Sequence, residues 1–242
     1  MEIIVLQHIE VEDPGYIKDL MIKDGFNLTT IELDKNEKIP KDLNKFDGMF
    51  CMGGPMDTWM EKKYPWLVEE KEKIKEFVID LKKPFLGFCL GCQLLGEVIG
   101  GKVIKSKKSE IGMLEINFLK DKENDTIFST FPEKIKALQW HSYEVVNLEN
   151  NKDVTLLASS PNTKYQIFKY KNHAYGIQFH IEVKNTTVHE WGCVPEYKTA
   201  LEKELGSNAL EKFDQDAKLN MKQMNEYSSI LYSKFKKEIL GI

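Results

Sequence analysis

Short apolar segments alternate with amphipathic ones over the first hundred residues. The apolar segments have the length and β-branched content of strands, whereas the segments between them carry apolar residues at helical spacing. Regular alternation of this kind predicts a parallel sheet with helices on its faces. The predicted strands are 2–8, 27–33, 46–52 and 85–88, and the predicted helices are 14–24, 65–81 and 90–99.

After Gly101 the pattern changes to a succession of strand-like segments. We expect these segments to add antiparallel strands to the parallel core. They are 102–105, 111–119, 136–139, 154–159 and a hairpin over 165–179. The predicted fold class is therefore α/β, a mostly parallel open sheet flanked by helices, with added antiparallel strands and a C-terminal helical extension.

That C-terminal extension has its own pattern. Apolar residues from Leu210 to Ile239 recur at helical spacing and predict a long amphipathic helix over 209–240. Asn208 followed by Glu211 predicts a capping box at its start. We therefore divide the chain into a domain over 1–205 and a helix over 206–242. The apolar stripe alone leaves open whether this helix packs on its own domain or on a partner.

Composition narrows the class of protein. Hydrophobic residues make up 42% and charged residues 30% of the chain, and the net charge of −4 provides no attraction to nucleic acid. No apolar run is long enough to cross a membrane, and no signal peptide is predicted. Four cysteines in a chain of this size indicate a reducing, cytoplasmic setting. All 34 basic residues are Lys, so Lys, backbone amides or neutral donors must bind any anionic group.

Candidate chemistry begins at Cys89, which lies in a Gly-x-Cys-x-Gly sequence between a predicted strand and a predicted helix. Flanking glycines permit a sharp turn, and the positive end of the following helix favours a thiolate. A packed, inert thiol is the alternative. Cys89 and Cys92 also have Cys-x-x-Cys spacing, but no second pair accompanies them, so neither a metal nor another cofactor is expected.

A cysteine nucleophile needs a base, and the base needs an acceptor that orients it. His180 and Glu182 meet this demand, because residues two apart in an extended segment project to the same side. Backbone amides are the natural donors to the oxyanion that forms. The amide of Leu90 is one candidate, and the tight Gly53-Gly54 turn at the end of a neighbouring strand can bring a second.

With these motifs in place, the chain resembles the class I, triad-type glutamine amidotransferases, and especially the stand-alone proteins similar to GMP synthase. The resemblance covers about residues 1–195. The matching segments are 6–8, 12–15, 46–48, 52–56, 64–67, 83–93, 100–101, 110–112, 139–141 and 178–182. It implies a flavodoxin-like sheet and glutamine hydrolysis through a γ-glutamyl thioester, with release of ammonia and glutamate.

The resemblance also implies the roles of individual residues. Cys89 would attack the side-chain amide, His180 would relay protons, and Glu182 would orient His180. By the same similarity Gly54 and Leu90 supply the oxyanion amides. For glutamine binding it implies Gln93, Glu110 and His141, although a structural glutamate and a capping histidine remain alternatives for the last two.

The sequence departs from the family pattern at two places. Ile181 replaces a frequent proline between His180 and Glu182, which we expect to loosen the backbone there. Ser142 and Tyr143 replace a frequent Gly-Asp, which affects recognition of the amino-acid end of the substrate. His8, His173 and His189 match no family role and are interpreted as structural or surface residues.

Three functions remain open at this point. The first is a glutaminase or amidotransferase, for which a separate synthetase subunit is a possible partner because no synthetase motif is present. The second is a γ-glutamyl peptidase with the same triad, and the third is a non-catalytic regulatory module. The ammonia acceptor and the oligomeric state cannot be inferred from the sequence.

Overall fold

A computed structural model describes all of residues 1–242. Its nine strands form one sheet in the order β2-β1-β3-β4-β9-β8-β7-β5-β6. The strands are β1 Glu2–Gln7, β2 Asn27–Glu32, β3 Gly48–Cys51, β4 Phe85–Phe88, β5 Lys102–Phe118, β6 Lys134–Val146, β7 Val154–Ser159, β8 Ile167–Tyr170 and β9 Ala174–Ile177. The helices are α1 Gly15–Lys23, α2 Trp66–Lys75, α3 Leu90–Val98, α4 Thr187–Gly192, α5 Pro195–Leu205 and α6 Ala209–Lys234.

The parallel half of the sheet is buried on both faces. All pairings among β2, β1, β3, β4 and β9 are parallel, whereas those from β9 to β6 are antiparallel. Successive residues of β1 enter opposite cores, with Ile3 and Val5 on one face and Ile4 and Leu6 on the other. The predicted mixed α/β sheet is therefore confirmed. Because parallel strands end at the same edge, the segments that follow β1, β3, β4 and β9 converge there.

The second half of the chain differs from the prediction in detail. The two strands predicted at 102–105 and 111–119 form the single strand β5, whose register against β6 shifts between Lys105 and Glu110. The strand predicted at 136–139 extends over all of β6. Helices α4 and α5 were not predicted. Each is short, and α5 packs on α6, β5 and β6, so tertiary contacts support it more than sequence periodicity does.

Helix α6 packs on its own domain. Its buried residues include Phe213, Met221 and Leu231, which join the core that also contains Ile3 and Val5. The predicted capping box is wrong. Asn208 makes no side-chain cap and has φ −108° and ψ 16°, outside the extended region that an N-cap adopts. No helix of the chain is both long and apolar enough to span a membrane.

Candidate active site

Cys89 forms the turn between β4 and α3, and its backbone is strained. It has φ +48° and ψ −103°, a region that residues with a side chain rarely adopt. Its N–H donates to the Ile177 carbonyl at 2.8 Å, and its carbonyl accepts from the Gln93 N–H at 3.0 Å. These bonds hold the strained residue between β9 and the first turn of α3.

The two flanking glycines have a different purpose from the one expected. Neither Gly87 nor Gly91 has a positive φ, so backbone freedom at these positions is not what the turn uses. A Cβ on Gly87 would lie 2.5 Å from the Gly91 oxygen, and one on Gly91 would lie 2.1 Å from the Cys51 oxygen. The glycines therefore let α3 approach β3 and β4 closely, while Cys89 itself takes the strain.

His180 and Glu182 follow β9 and form a buried pair. The Nδ1–H of His180 donates to Glu182 Oε1 at 2.6 Å, and the indole ring of Trp191 packs edge-on against the imidazole at 4.6 Å between centroids. Burial lowers the pKa of His180, but Glu182 and the hydrogen-bonding sulfur of Cys89 outweigh it and hold the pKa well above its usual value. The three side chains are thus brought together.

Ile181 does not loosen this segment, contrary to the expectation. Its N–H donates to Glu182 Oε2 at 2.9 Å, a bond that a proline could not make. Its carbonyl accepts from Ser228 Oγ at 2.6 Å. Both residues are fully buried, so α6 fixes the backbone between His180 and Glu182.

An open cleft of about 170 Å³ lies over Cys89. Gly54 and Leu90 line it, and neither backbone N–H donates to any group of the protein. A Cβ on Gly54 would lie 2.8 Å from the His8 Cβ, so only glycine fits at this position. The cleft therefore offers two free amides beside the sulfur.

The residues predicted to bind substrate lie at different depths. Gln93 lines the cleft, and its Nε2 donates to Gln178 Oε1 at 3.1 Å and to the Tyr143 carbonyl at 3.3 Å. No group of the protein donates to its side-chain carbonyl oxygen. His141 also lines the cleft. Glu110 lies behind His141, at 3.5 Å from its Nε2, and does not reach the cleft surface.

Glu110 is held by other side chains. Its Oε2 accepts from Ser160 Oγ and Gln166 Nε2, each at 2.8 Å. Burial raises the pKa of Glu110, but the nearby imidazole of His141 and the hydrogen bond from Ser160 more than offset this and keep it below its usual value. Glu110 is thus an ionised group buried beneath the cleft.

Comparison with known proteins agrees with this geometry. The family model for class-I glutamine amidotransferases matches residues 16–190, which include Cys89, His180 and Glu182. The chain belongs to this family. It is therefore an enzyme, a glutamine amidotransferase, and the predicted family is confirmed.

Individual relatives extend the comparison. A glutamine-hydrolysing GMP synthase subunit of Sulfolobus acidocaldarius is 34% identical over 180 residues, 71% of this chain and 87% of the relative. A glutamine amidotransferase of Thermotoga maritima superposes with a TM-score of 0.84 at 28% identity, over 99% of this chain and 98% of the other. A protein of Thermoplasma acidophilum that is described as a GMP synthase subunit superposes at 0.56 over 90% of this chain and 98% of the other, at 21% identity. The Thermotoga likeness therefore extends over the C-terminal helices.

This amidotransferase has a second buried carboxyl group beside the triad that the sequence analysis did not identify. Glu12 Oε1 accepts from the hydroxyl of Tyr197, a residue of α5 that lines the cleft, and Glu12 Oε2 has no partner. Gly53 packs so close that a Cβ there would lie 2.5 Å from this oxygen. The sequence offered one signal, because Glu12 is an acidic residue shortly after β1, and β1 ends at the same edge of the sheet as the strands that precede Cys89 and His180.

Glu12 is expected to make stability depend on pH. Burial raises its pKa to about 7, although His180 and Tyr197 lower it. Because the carboxyl ionises near pH 4.5 in the unfolded chain, the folded state becomes relatively less stable as pH rises from about 4.5 to about 7. Glu12→Gln should therefore become more stable relative to the wild type over this range, by about 3 kcal/mol in free energy of unfolding.

Urea denaturation of both proteins at several pH values measures this difference. The unpaired side-chain amide of the Glu12→Gln variant adds an offset that does not vary with pH. Parallel stability curves for the two proteins would contradict the assignment.

Proposed function

We propose that this protein hydrolyses the side-chain amide of glutamine through a γ-glutamyl thioester on Cys89. The observation that carries the proposal is the placement of Cys89 beside a buried His180 that Glu182 orients, at the floor of a cleft with two free amides. A strained nucleophile, a base with a fixed tautomer and unpaired donors are the parts that acyl transfer requires.

In the first half of the reaction, the Cys89 proton passes to His180 Nε2 and the thiolate attacks the amide carbon of glutamine. The carbon–oxygen double bond opens to an oxyanion, which the N–H groups of Gly54 and Leu90 stabilise. His180 then protonates the amide nitrogen, the carbon–nitrogen bond breaks, and ammonia leaves. Glu182 stabilises the imidazolium throughout.

Water completes the cycle. His180 takes a proton from a water molecule that attacks the thioester carbon, and the same two amides hold the second oxyanion. The carbon–sulfur bond then breaks, the sulfur regains a proton from His180, and glutamate leaves.

The lining of the cleft suggests how glutamine is held. We assign the free carbonyl oxygen of Gln93 and the ring of His141 to substrate contact, with Glu110 acting on the substrate only through His141. Asp57 lines the same cleft, is partly buried, and forms no ion pair or side-chain hydrogen bond. Burial raises its pKa. The ammonium group of the substrate would supply the missing partner of Asp57. Asp57 would then take the role of the acidic residue that family members frequently have at the position of Tyr143.

Asp57→Asn is accordingly expected to raise the KM for glutamine by about 10- to 100-fold, because a hydrogen bond to a charged group contributes about 1.5–3 kcal/mol. The kcat should change little, since Asp57 does not meet the reacting atoms. Steady-state kinetics test this. Glu196→Gln, at an exposed carboxylate on the same cleft, is the matched control and should leave KM within about twofold of the wild type, as expected for exposed charges.

The fate of the ammonia is a separate part of the proposal. The GMP synthase relatives are glutamine-hydrolysing subunits of that enzyme. We infer that a separate synthetase subunit receives ammonia from this protein, and that both act in the cytoplasm.

The test compares glutamine with γ-glutamyl dipeptides as substrates for the purified protein. The expected result is release of glutamate and ammonia from glutamine, with dipeptides hydrolysed at least about tenfold more slowly. The small cleft supports this preference, since clefts for larger ligands typically measure about 300–1,000 Å³. Faster dipeptide hydrolysis would identify a γ-glutamyl peptidase instead. Inertness toward all substrates, with and without a candidate synthetase, would indicate a regulatory module.

A further inference from the structure

His8 is a buried residue beside the proposed oxyanion site that the mechanism leaves unused. It follows β1, is fully buried, and has both ring nitrogens in contact with oxygen atoms. Nδ1 lies 2.8 Å from the carbonyl oxygen of Gly53, and Nε2 lies 2.9 Å from Glu70 Oε1 on α2. Of the two roles expected from the sequence, structural or surface, these contacts give His8 the structural one, and they connect it to the Gly53–Gly54 turn.

The proton positions follow from these partners. A backbone carbonyl can only accept, so Nδ1 of His8 must carry a proton and donate it to Gly53. A second proton lies between Nε2 and Glu70, whose Oε1 also accepts from the Cys51 thiol at 3.4 Å. Burial lowers the pKa of His8. Glu70 and the Gly53 carbonyl together raise that pKa by more than burial lowers it, so the net shift is upward. Glu70 therefore fixes both the orientation of the ring and its Nδ1 proton.

The bond to Gly53 determines where the next amide points. The carbonyl of Gly53 and the N–H of Gly54 belong to one peptide unit, and in a trans peptide they point in opposite directions. With the carbonyl bound to His8, the N–H of Gly54 points away from His8, and Gly54 lines the cleft beside Cys89. A peptide between two glycines meets little steric resistance to rotation, so its orientation needs an anchor.

We propose that His8, held by Glu70, is a positioning residue that fixes the Gly53–Gly54 peptide so that the Gly54 N–H faces the oxyanion. This inference rests on the proposed function, because it assigns a purpose only to an acyl-transfer site. Without the anchor, the amide would no longer be pre-organised, and such pre-organisation is what makes an oxyanion donor effective.

Two substitutions separate the two bonds of the His8 ring. In His8→Asn the side-chain amide nitrogen takes the position of Nδ1 and can still donate to Gly53. In His8→Gln the amide nitrogen takes the position of Nε2 and reaches Glu70 instead. We expect His8→Gln to lower kcat for glutamine by on the order of 10²-fold with KM within about threefold, as for loss of one oxyanion donor. His8→Asn should stay within about tenfold of the wild type.

Alkylation of Cys89 by iodoacetamide provides the second readout. This displacement creates no oxyanion, so its rate in His8→Gln should equal that of the wild type. The proposal is overturned if His8→Gln hydrolyses glutamine within about threefold of the wild type, or if hydrolysis and alkylation fall together. If His8→Gln does not fold, the hydrolysis and alkylation rates of His8→Asn test the proposal instead. Retained hydrolysis supports the anchor, and lost hydrolysis with normal alkylation overturns it. Absence of hydrolysis in the wild type, both with and without a candidate synthetase, would instead refute the proposed function.

Discussion

Replacement of Cys89 by alanine is expected to abolish glutamine hydrolysis, with a loss in kcat of at least about 10⁴-fold. No other group can form the thioester, since His180 and Glu182 act only on protons. The variant should fold, because alanine removes a single sulfur atom from a residue whose backbone is held by Ile177 and Gln93. Alanine at a positive φ adds no strain beyond that already present in the cysteine.

Covalent labelling gives the decisive measurement. A diazoketone analogue of glutamine should modify the wild type once per chain, at Cys89, and should not modify Cys89→Ala. Cys193→Ser is the control, because Cys193 is the exposed thiol and its loss should change neither labelling nor turnover. Stoichiometric labelling of Cys89→Ala, or turnover by it, would refute the nucleophile and with it the proposed mechanism.

His180→Gln should produce the second largest effect, a loss of about 10³- to 10⁴-fold in kcat. The substitution removes both the base that deprotonates the thiol and the acid that protonates the leaving nitrogen. A neutral amide also leaves the buried Glu182 carboxylate without its cationic partner, so some loss of stability is expected as well. Thermal unfolding of the variant measures that part separately.

Two comparisons make this prediction specific. His189→Gln, at the exposed histidine of α4, should leave kcat unchanged. In His180→Gln, alkylation of Cys89 by iodoacetamide at neutral pH should slow, because the imidazolium that stabilises the thiolate is gone. Hydrolysis within about tenfold of the wild type would show that His180 is not the base.

Much of the fold could be predicted because strands and helices have different local periods. Strands β1 to β4 and helices α1 and α3 were predicted to within two residues at each end. The helix predicted over 65–81 is α-helical only as far as Lys75, and Glu76–Asp80 continues it as a π-helix. The predictions failed where local pattern carried little information. β5 passes through the polar residues 106–109 without interruption because β6 pairs with it on either side, and the short α4 and α5 depend on packing against α6.

The residues of the candidate site were likewise predicted only in part. Cys89, His180 and Glu182 were predicted because each follows a strand of the parallel sheet, and such strands end at a common edge. Glu12 and Tyr197 were not, because Tyr197 lies on α5, which no sequence pattern predicted, and Glu12 belongs to no catalytic motif of the sequence. Glu110 was predicted to bind the substrate, but it lies behind His141 and does not reach the cleft. The sequence did not indicate this, because the identity of a single residue does not show how deeply it lies within the domain.

The sequence by itself determined the alternating architecture, the family and the order of the nucleophile, base and acceptor along the chain. These features depend on local periodicity and on short motifs, which each segment carries independently of its neighbours. Only the tertiary structure decided what surrounds the triad: Ser228 on the Ile181 carbonyl, Glu12 beside Gly53, and His8 beneath the Gly53–Gly54 peptide. The physical reason is that these contacts join distant segments, and their geometry is set by strand order and helix packing.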